Sequence, residues 1–463
     1  MRSKVAVVFF LIVLTLKANA SEDRPEQTIL KPNRKLEWLT DNLNSGPANA
    51  QPEQIHLSYP GDSTKLYVSW LTFDDPGSSH IEYGPTERFG TKSEAQITKF
   101  RESILHAYRY VHRAEIRGIE SGNKYYYRVG SEHGWSNVFS FTGIQPRPDG
   151  GYKYMVYGDF GLKNARSLGR VQNLTQMGEF DIVLHVGDYG YDMQDDFANR
   201  GDAFMRQIEP IASRLPYQTI PGSKLEYYLR KDYPGNHEAS GNFTQYRNRF
   251  TMPGNSESIF YSFDLGPTHI VAYSTEIYFS PDNENELKAQ YNFLVEDLKA
   301  ANKNRDKVPW IVALGHRPMY CTAADVWFSQ CNEPNVQFRV GINGEYALEP
   351  LFYDHGVDLL IFGHEHNYER LYPIYNQIVY KNNANPYLDP VAPVHVISGS
   401  AGSQENIDTF TKPSEFDAYR STNYGFSSMT IYNNTHLLFE QIRAFDGVVE
   451  DSFLLIKNKH GPY

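Results

Sequence analysis

Cysteine is nearly absent from this chain of 463 residues: there are two, Cys321 and Cys331. That is too few for a small disulfide-built scaffold, so the fold has to rest on a hydrophobic core. Basic charge is also in deficit, with 44 Lys and Arg against 55 Asp and Glu and a formal net charge of −11. Such a balance makes the chain a poor candidate for general nucleic-acid binding. A phosphate-bearing partner would have to be attracted locally, by metals or by a few placed cations. Long apolar runs are missing after the first twenty residues, where nothing approaches the roughly 20 residues of a membrane helix, so no membrane span is expected. Internal repeats and low-complexity tracts are lacking as well.

What is present begins with residues 1–20, where Arg2 and Lys4 precede an apolar run from Val5 to Leu16 and Ala18 and Ala20 precede Ser21. This reads as a secretory signal peptide. Its removal takes Arg2, Lys4 and Lys17 with it and moves the formal charge from −11 to −14. In an exported chain the pair Cys321 and Cys331 can close a small disulfide loop, the alternative being two free thiols. The sequons at Asn173, Asn242 and Asn433 fit export, to the outside or to lysosomes.

Residues 21–50 are polar and read as a loosely ordered arm. Residues 51–143 carry short alternating runs, such as Leu66 to Leu71 and Tyr125 to Val129, between Pro-Gly, Asp-Pro-Gly and Ser-Gly-Asn turns. That pattern predicts an all-β sandwich of fibronectin type III-like layout, with Trp70 and Tyr127 in its core. From residue 151 to 400 continuous apolar strands alternate with amphipathic stretches such as Glu286 to Ala301. This predicts an α/β domain with buried strands. Residues 401–463 return to strand-like runs and are expected to close onto that domain.

In the α/β region an apolar run repeatedly ends at a glycine followed at once by Asp, Asn or His. The turns are Gly158-Asp159, Gly187-Asp188, Gly315-His316 and Gly363-His364-Glu365-His366; a fifth, Gly235-Asn236-His237, lacks a strand directly before it. Ligands of open α/β sheets collect at the carboxyl ends of strands, so these side chains are expected on one edge. Glycine would let the backbone bend there without a Cβ penalty. One Gly-Asp is an ordinary turn, but five turns ending on metal-ligand residue types are not. Carboxylates and a phenolate suit a hard trivalent ion, imidazole and amide a divalent one, and Asp188 is the natural bridge. Tyr191, three residues after Asp188, is the candidate phenolate, with Tyr189 as its rival by proximity.

The set GDFG, GDYGY, GNHE, GHRPMYC and GHEHNYER, in this order behind a fibronectin-like domain, resembles the purple acid phosphatases, and most closely their larger animal members. The resemblance implies a metallophosphoesterase fold, of α+β type with sheets flanked by helices. It places Asp159, Tyr191 and His366 on Fe(III), Asp188 as the bridge, and Asn236, His316 and His364 on a divalent iron, zinc or manganese ion. It implies hydrolysis of small phosphate monoesters by attack of a metal-bound hydroxide, with His237 steadying the phosphate or protonating the leaving alcohol. Glu238 and Glu365 would only orient neighbours.

Two departures stand out. The family pattern calls for valine at Ala313, a strand-filling position that leaves His316 little affected. More serious is the segment 223–235, Ser-Lys-Leu-Glu-Tyr-Tyr-Leu-Arg-Lys-Asp-Tyr-Pro-Gly, which separates Ile220-Pro221-Gly222 from Asn236-His237-Glu238. Its deletion restores the expected strand-to-ligand turn, and the repeated Pro-Gly is what an in-frame insertion leaves. Loop length costs little in closure entropy, but Asn236 and His237 lose the strand end that would hold them. Two alternatives follow: a phosphodiesterase or nucleotide pyrophosphatase on the same site, or a catalytically impaired form that serves as a binding protein.

Overall fold

The computed structural model describes residues 49–102, 107–191, 193–223, 243–279, 284–324, 331, 336–381 and 384–463. The expected signal peptide, nearly all of the arm, Asn236, His237, Glu238, Asn242 and all of the insertion but Ser223 lie outside the described residues.

The first nine strands are β1 (Glu53–Ser58), β2 (Lys65–Thr72), β3 (His80–Gly84), β4 (Thr91–Glu94), β5 (Gln96–Glu102), β6 (Ala107–Arg117), β7 (Lys124–Ser131), β8 (Gly134–Trp135) and β9 (Phe139–Thr142). They form two antiparallel sheets, β1-β2-β6-β5 and β4-β3-β7-β8, with β9 also on β7. Alternation on β7 buries Tyr125, Tyr127 and Val129 while Tyr126 and Arg128 stay half-exposed, the period of a strand with one covered face. Trp70 and Tyr127 are both buried, and Trp70 stacks on His112 with ring centroids 5.3 Å apart.

The next strands are β10 (Tyr152–Tyr157), β11 (Phe160–Gly161), β12 (Ile182–His185), β13 (Tyr189–Gly190), β14 (Tyr217–Thr219), β15 (Tyr261–Leu265), β16 (Thr268–Ala272), β17 (Trp310–Leu314) and β18 (Leu359–Phe362). They are followed by β19 (Tyr368–Leu371), β20 (Ile374–Tyr375), β21 (Ile378–Val379), β22 (Val394–Ser398), β23 (Asp417–Ser421), β24 (Gly425–Ile431), β25 (His436–Arg443) and β26 (Val449–Ile456). One sheet runs β14-β12-β10-β24-β25-β26 and the other β15-β16-β17-β18-β22-β19-β23. In the first, β10, β12 and β14 are parallel and β24 to β26 add antiparallel strands, so the C-terminal segment completes the sheet that β10 begins. In the second, β16, β17, β18 and β22 are parallel. The parallel strands β10, β12, β17 and β18 all but lack polar residues and are buried along almost their whole length, as strands covered on both faces must be. Side chains of both sheets join one apolar core. Among the described residues no helix is long and apolar enough to cross a membrane.

The sandwich is fastened to the rest by polar groups with little access to water. Asp202, in the helix Asn199–Ala212, lies 2.7 Å from Arg109 of β6 and 2.8 Å from Arg249, all three nearly fully buried. Gln218 of β14 exchanges two hydrogen bonds with the backbone of Tyr59. A buried pair holds only while both partners are present, because loss of one strands the other.

Another polar cluster, at the edge of the second sheet, titrates. His269 of β16 sits between Asp264, at 2.7 Å, and Asp297 of the helix Glu284–Lys303, at 2.8 Å. Burial opposes its charge, but the two carboxylates outweigh that and push its pKa up to about 9. A raised folded-state pKa gives stability that is full below the unfolded value and lost as pH rises through the folded one. This contact is therefore expected to lose about 3 kcal/mol of stabilisation between pH 6.5 and pH 9.5, and His269→Gln to flatten the slope of stability against pH. Thermal melts across this range check it; an unchanged slope in the variant would refute the assignment.

Candidate metal centre

The four strand-glycine turns meet where the two sheets come together. Those of the first sheet are zipped to one another: Asp159 N donates to Gly187 O at 3.1 Å, Phe160 N to Asp188 O at 2.9 Å, and β11 pairs with β13. Those of the second sheet do likewise, Gly315 N donating to Ile361 O and Gly363 N to His316 O. Hydrogen bonds also cross between the sheets, Gly158 N donating to Ser398 O at 2.7 Å. His364 N donates to Asp159 Oδ2 at 2.8 Å, and His316 Nδ1 lies 2.9 Å from Val186 O.

The backbone bend sits elsewhere than the sequence suggested. Of these four glycines only Gly187, at φ 89°, is left-handed; the positive φ falls on Asp159 at 59°, Asp188 at 51° and His364 at 70°, and on Tyr191 at 54°. An L residue pays roughly 1–2 kcal/mol there, so the ligand-type residues carry the strain themselves. Glycine instead gives room. A Cβ at Gly363 would lie 2.6 Å from Asp159 Oδ2 and 3.0 Å from Val186 O.

The side chains gather into two sets. In the first, Tyr191 Oη is 2.7 Å from His366 Nε2 and 3.3 Å from Asp159 Oδ1, and His366 Nε2 is 3.4 Å from that same oxygen. In the second, Asp188 Oδ2 is 3.2 Å from His316 Nε2, and donor atoms of Asp188, His316 and His364 all lie within 4.8 Å of one another. Ligands of one cation with bonds of about 2.0–2.2 Å stand about 2.8–3.6 Å apart, a spacing that the first set and the Asp188–His316 pair approach, while His364 completes the second set within 4.8 Å. Asp188 acts electrostatically on both, on Asp159 and Tyr191 and on His316. Tyr189 points away, its hydroxyl 3.3 Å from Ile220 O and its ring stacked on Tyr246.

The environment fits cations. His316 Nε2 is fully buried with no aligned hydrogen-bond partner, while its Nδ1 is engaged by a carbonyl, the arrangement that leaves Nε2 as the lone-pair donor. His366 shares the Nδ1 contact, 3.1 Å from Asn406 O, while its Nε2 faces Tyr191 Oη. Burial lifts the Asp159 carboxyl to about 6 despite His366 and His316 nearby. Burial opposes charge on the imidazoles too, yet Asp188 lifts His316 to about 9 and Asp159 lifts His366 to about 10. Tyr191 is pushed well above its usual range by burial and by the charges of Asp159 and Asp188. Anionic oxygens are thus concentrated in a dry place that favours positive charge.

Several neighbours gave no sequence signal. Glu405, Asn406 and Asp408 come from the loop after β22, where Asp408 Oδ2 accepts from His366 N at 2.6 Å. Ser223 Oγ lies 3.0 Å from His364 Nδ1. Arg317, clamped by Glu276 at 3.0 Å, reaches within 3.2 Å of His364 Nε2, and its place beside His316 was the one available clue. Cys321 and Cys331 are joined in a disulfide. Asn173 and Asn433 are exposed.

Gly363→Ala is expected to displace the Asp159 carboxylate, lower stability by about 1–3 kcal/mol and at least halve bound metal, whereas Gly169→Ala, which meets nothing, does neither. Thermal melts with metal analysis check this; full metal retention in Gly363→Ala would contradict the close approach.

Comparison with known proteins agrees in order and extent. Residues 52–143 match the family model for the N-terminal domain of purple acid phosphatase, 152–368 that of calcineurin-like phosphoesterases, and 392–452 that of the iron/zinc purple acid phosphatase-like C-terminal segment. The chain is 40% identical over 424 residues to acid phosphatase type 7 of Homo sapiens, covering 90% of this chain and 93% of that one. It is also 40% identical over 430 residues to acid phosphatase type 7 of Danio rerio, covering 90% and 94%. The fold matches the solved structure of a purple acid phosphatase from yellow lupin (Lupinus luteus) seeds with a TM-score of 0.70 at 24% identity, over 88% of this chain and 75% of that one. The chain belongs to the purple acid phosphatase family and carries its calcineurin-like metallophosphoesterase fold.

Proposed function

We propose that this protein is an exported acid phosphatase that hydrolyses phosphate monoesters at a centre of one Fe(III) and one divalent iron, zinc or manganese ion. The observation that carries the reading is the pair of donor sets joined through Asp188. Asp159, Tyr191 and His366 would hold the trivalent ion, and Asp188, His316 and His364 the divalent one, with Asp188 shared. When bound, the ions would supply charge neutralisation for the phosphoryl oxygens and a lowered pKa for the attacking water.

The chain's own residues do the rest. Val186 O and Asn406 O fix the rings of His316 and His366, so that each presents Nε2 to the centre. The Arg317 guanidinium, immobilised by Glu276, presents a fixed N–H donor 3.2 Å from His364 Nε2, beside the centre. His237 is proposed to steady the phosphate or pass a proton to the leaving alcohol. Export is supported by the N-terminal pattern, the disulfide and the exposed Asn433.

Turnover of p-nitrophenyl phosphate is expected to exceed that of bis-(p-nitrophenyl) phosphate by at least about tenfold in kcat/KM, about 1.4 kcal/mol. Asp188→Asn should lower the monoester rate by on the order of 10³. A preference for the diester would move the assignment to a phosphodiesterase.

A further inference from the structure

The insertion leaves two Pro-Gly pairs, 221–222 and 234–235, and β14 leads into the first. Ile220 N still donates to His185 O, so the strand keeps its alignment up to Pro221-Gly222. The fifth strand-glycine turn of this chain therefore presents Ser223. Gly222 is wedged against the bridging carboxylate: a Cβ there would lie 2.1 Å from both the N and Oδ1 of Asp188. The next side chain emerges beside the second donor set. Ser223 is 4% exposed, and its Oγ sits 3.0 Å from His364 Nδ1. Arg317 takes the opposite edge of that ring, at Nε2.

We propose that Ser223, at the start of the insertion, is the neutral oxygen ligand of the divalent ion in this chain, beside Asp188, His316 and His364. This rests on the two-metal reading above. A hydroxyl offers lone pairs to a cation without adding charge, and Ser and Thr hydroxyls hold Mg²⁺ in phosphate-binding loops. Asn236, thirteen residues downstream, is not needed to fill the place.

Loss of affinity alone would not decide between a ligand and a residue that merely orients His364, since either change can cost 10- to 100-fold. The deciding variant is Ser223→Cys in the full-length, iron-loaded protein, titrated with Co(II). A cysteine thiolate bound directly to Co(II) gives an intense near-ultraviolet charge-transfer band; a thiol that only contacts the histidine gives none. The expected result is a new band saturating at one Co(II) per chain, with Ser223→Ala binding Co(II) about tenfold more weakly than wild type. Asn236→Ala should stay within about twofold of wild type. No band from a Ser223→Cys protein that binds Co(II) and melts like wild type overturns the inference, as does loss of binding in Asn236→Ala with Ser223→Ala unaffected. Failure of wild type itself to take up Co(II) would instead bring down the two-metal reading.

Discussion

The centre depends on a carboxylate kept out of water at the junction of two sheets. Asp159 is fully buried, accepts the backbone N–H of His364 from the opposite sheet, and faces His366 and Tyr191. A buried carboxylate is tolerated only where positive charge compensates it, and here its pKa already rises to about 6. The same atom group ties the sheets together and calls for a cation. Stability and metal binding therefore share one set of contacts, so a change at Gly363 or Asp159 has to act on both.

Strain is distributed accordingly. Asp159, Asp188, Tyr191 and His364 all adopt left-handed backbone conformations that an isolated chain would disfavour. Paired strands and the hydrogen-bonded turns hold them there, and coordination would repay part of the cost. Neighbouring glycines act mainly by leaving volume for the carboxylates and rings.

Much of this was legible in the sequence because strand ends have a local signature. Apolar runs ending in glycine marked Asp159, Asp188, His316 and His364, and alternation placed Trp70 and Tyr127 in a sandwich core. Tyr191 could not be separated from Tyr189 by spacing; the fold separates them, since one faces His366 and the other packs on Tyr246. Glu276 and the loop holding Glu405, Asn406 and Asp408 were illegible because they reach the site by tertiary packing alone. Ser223 was hidden for another reason. As the first residue of an apparent insertion it reads as excess chain, yet β14 and Gly222 deliver it to the very edge where an amide was expected.

On this reading two donor sets bind two ions that share Asp188. Anomalous diffraction from crystals of the iron-loaded protein supplied with manganese tests it most directly. Two peaks are expected about 3.5–4 Å apart, one among Asp159, Tyr191 and His366 and the other beside Asp188, His316 and His364. A single peak, or none between these side chains, would contradict it.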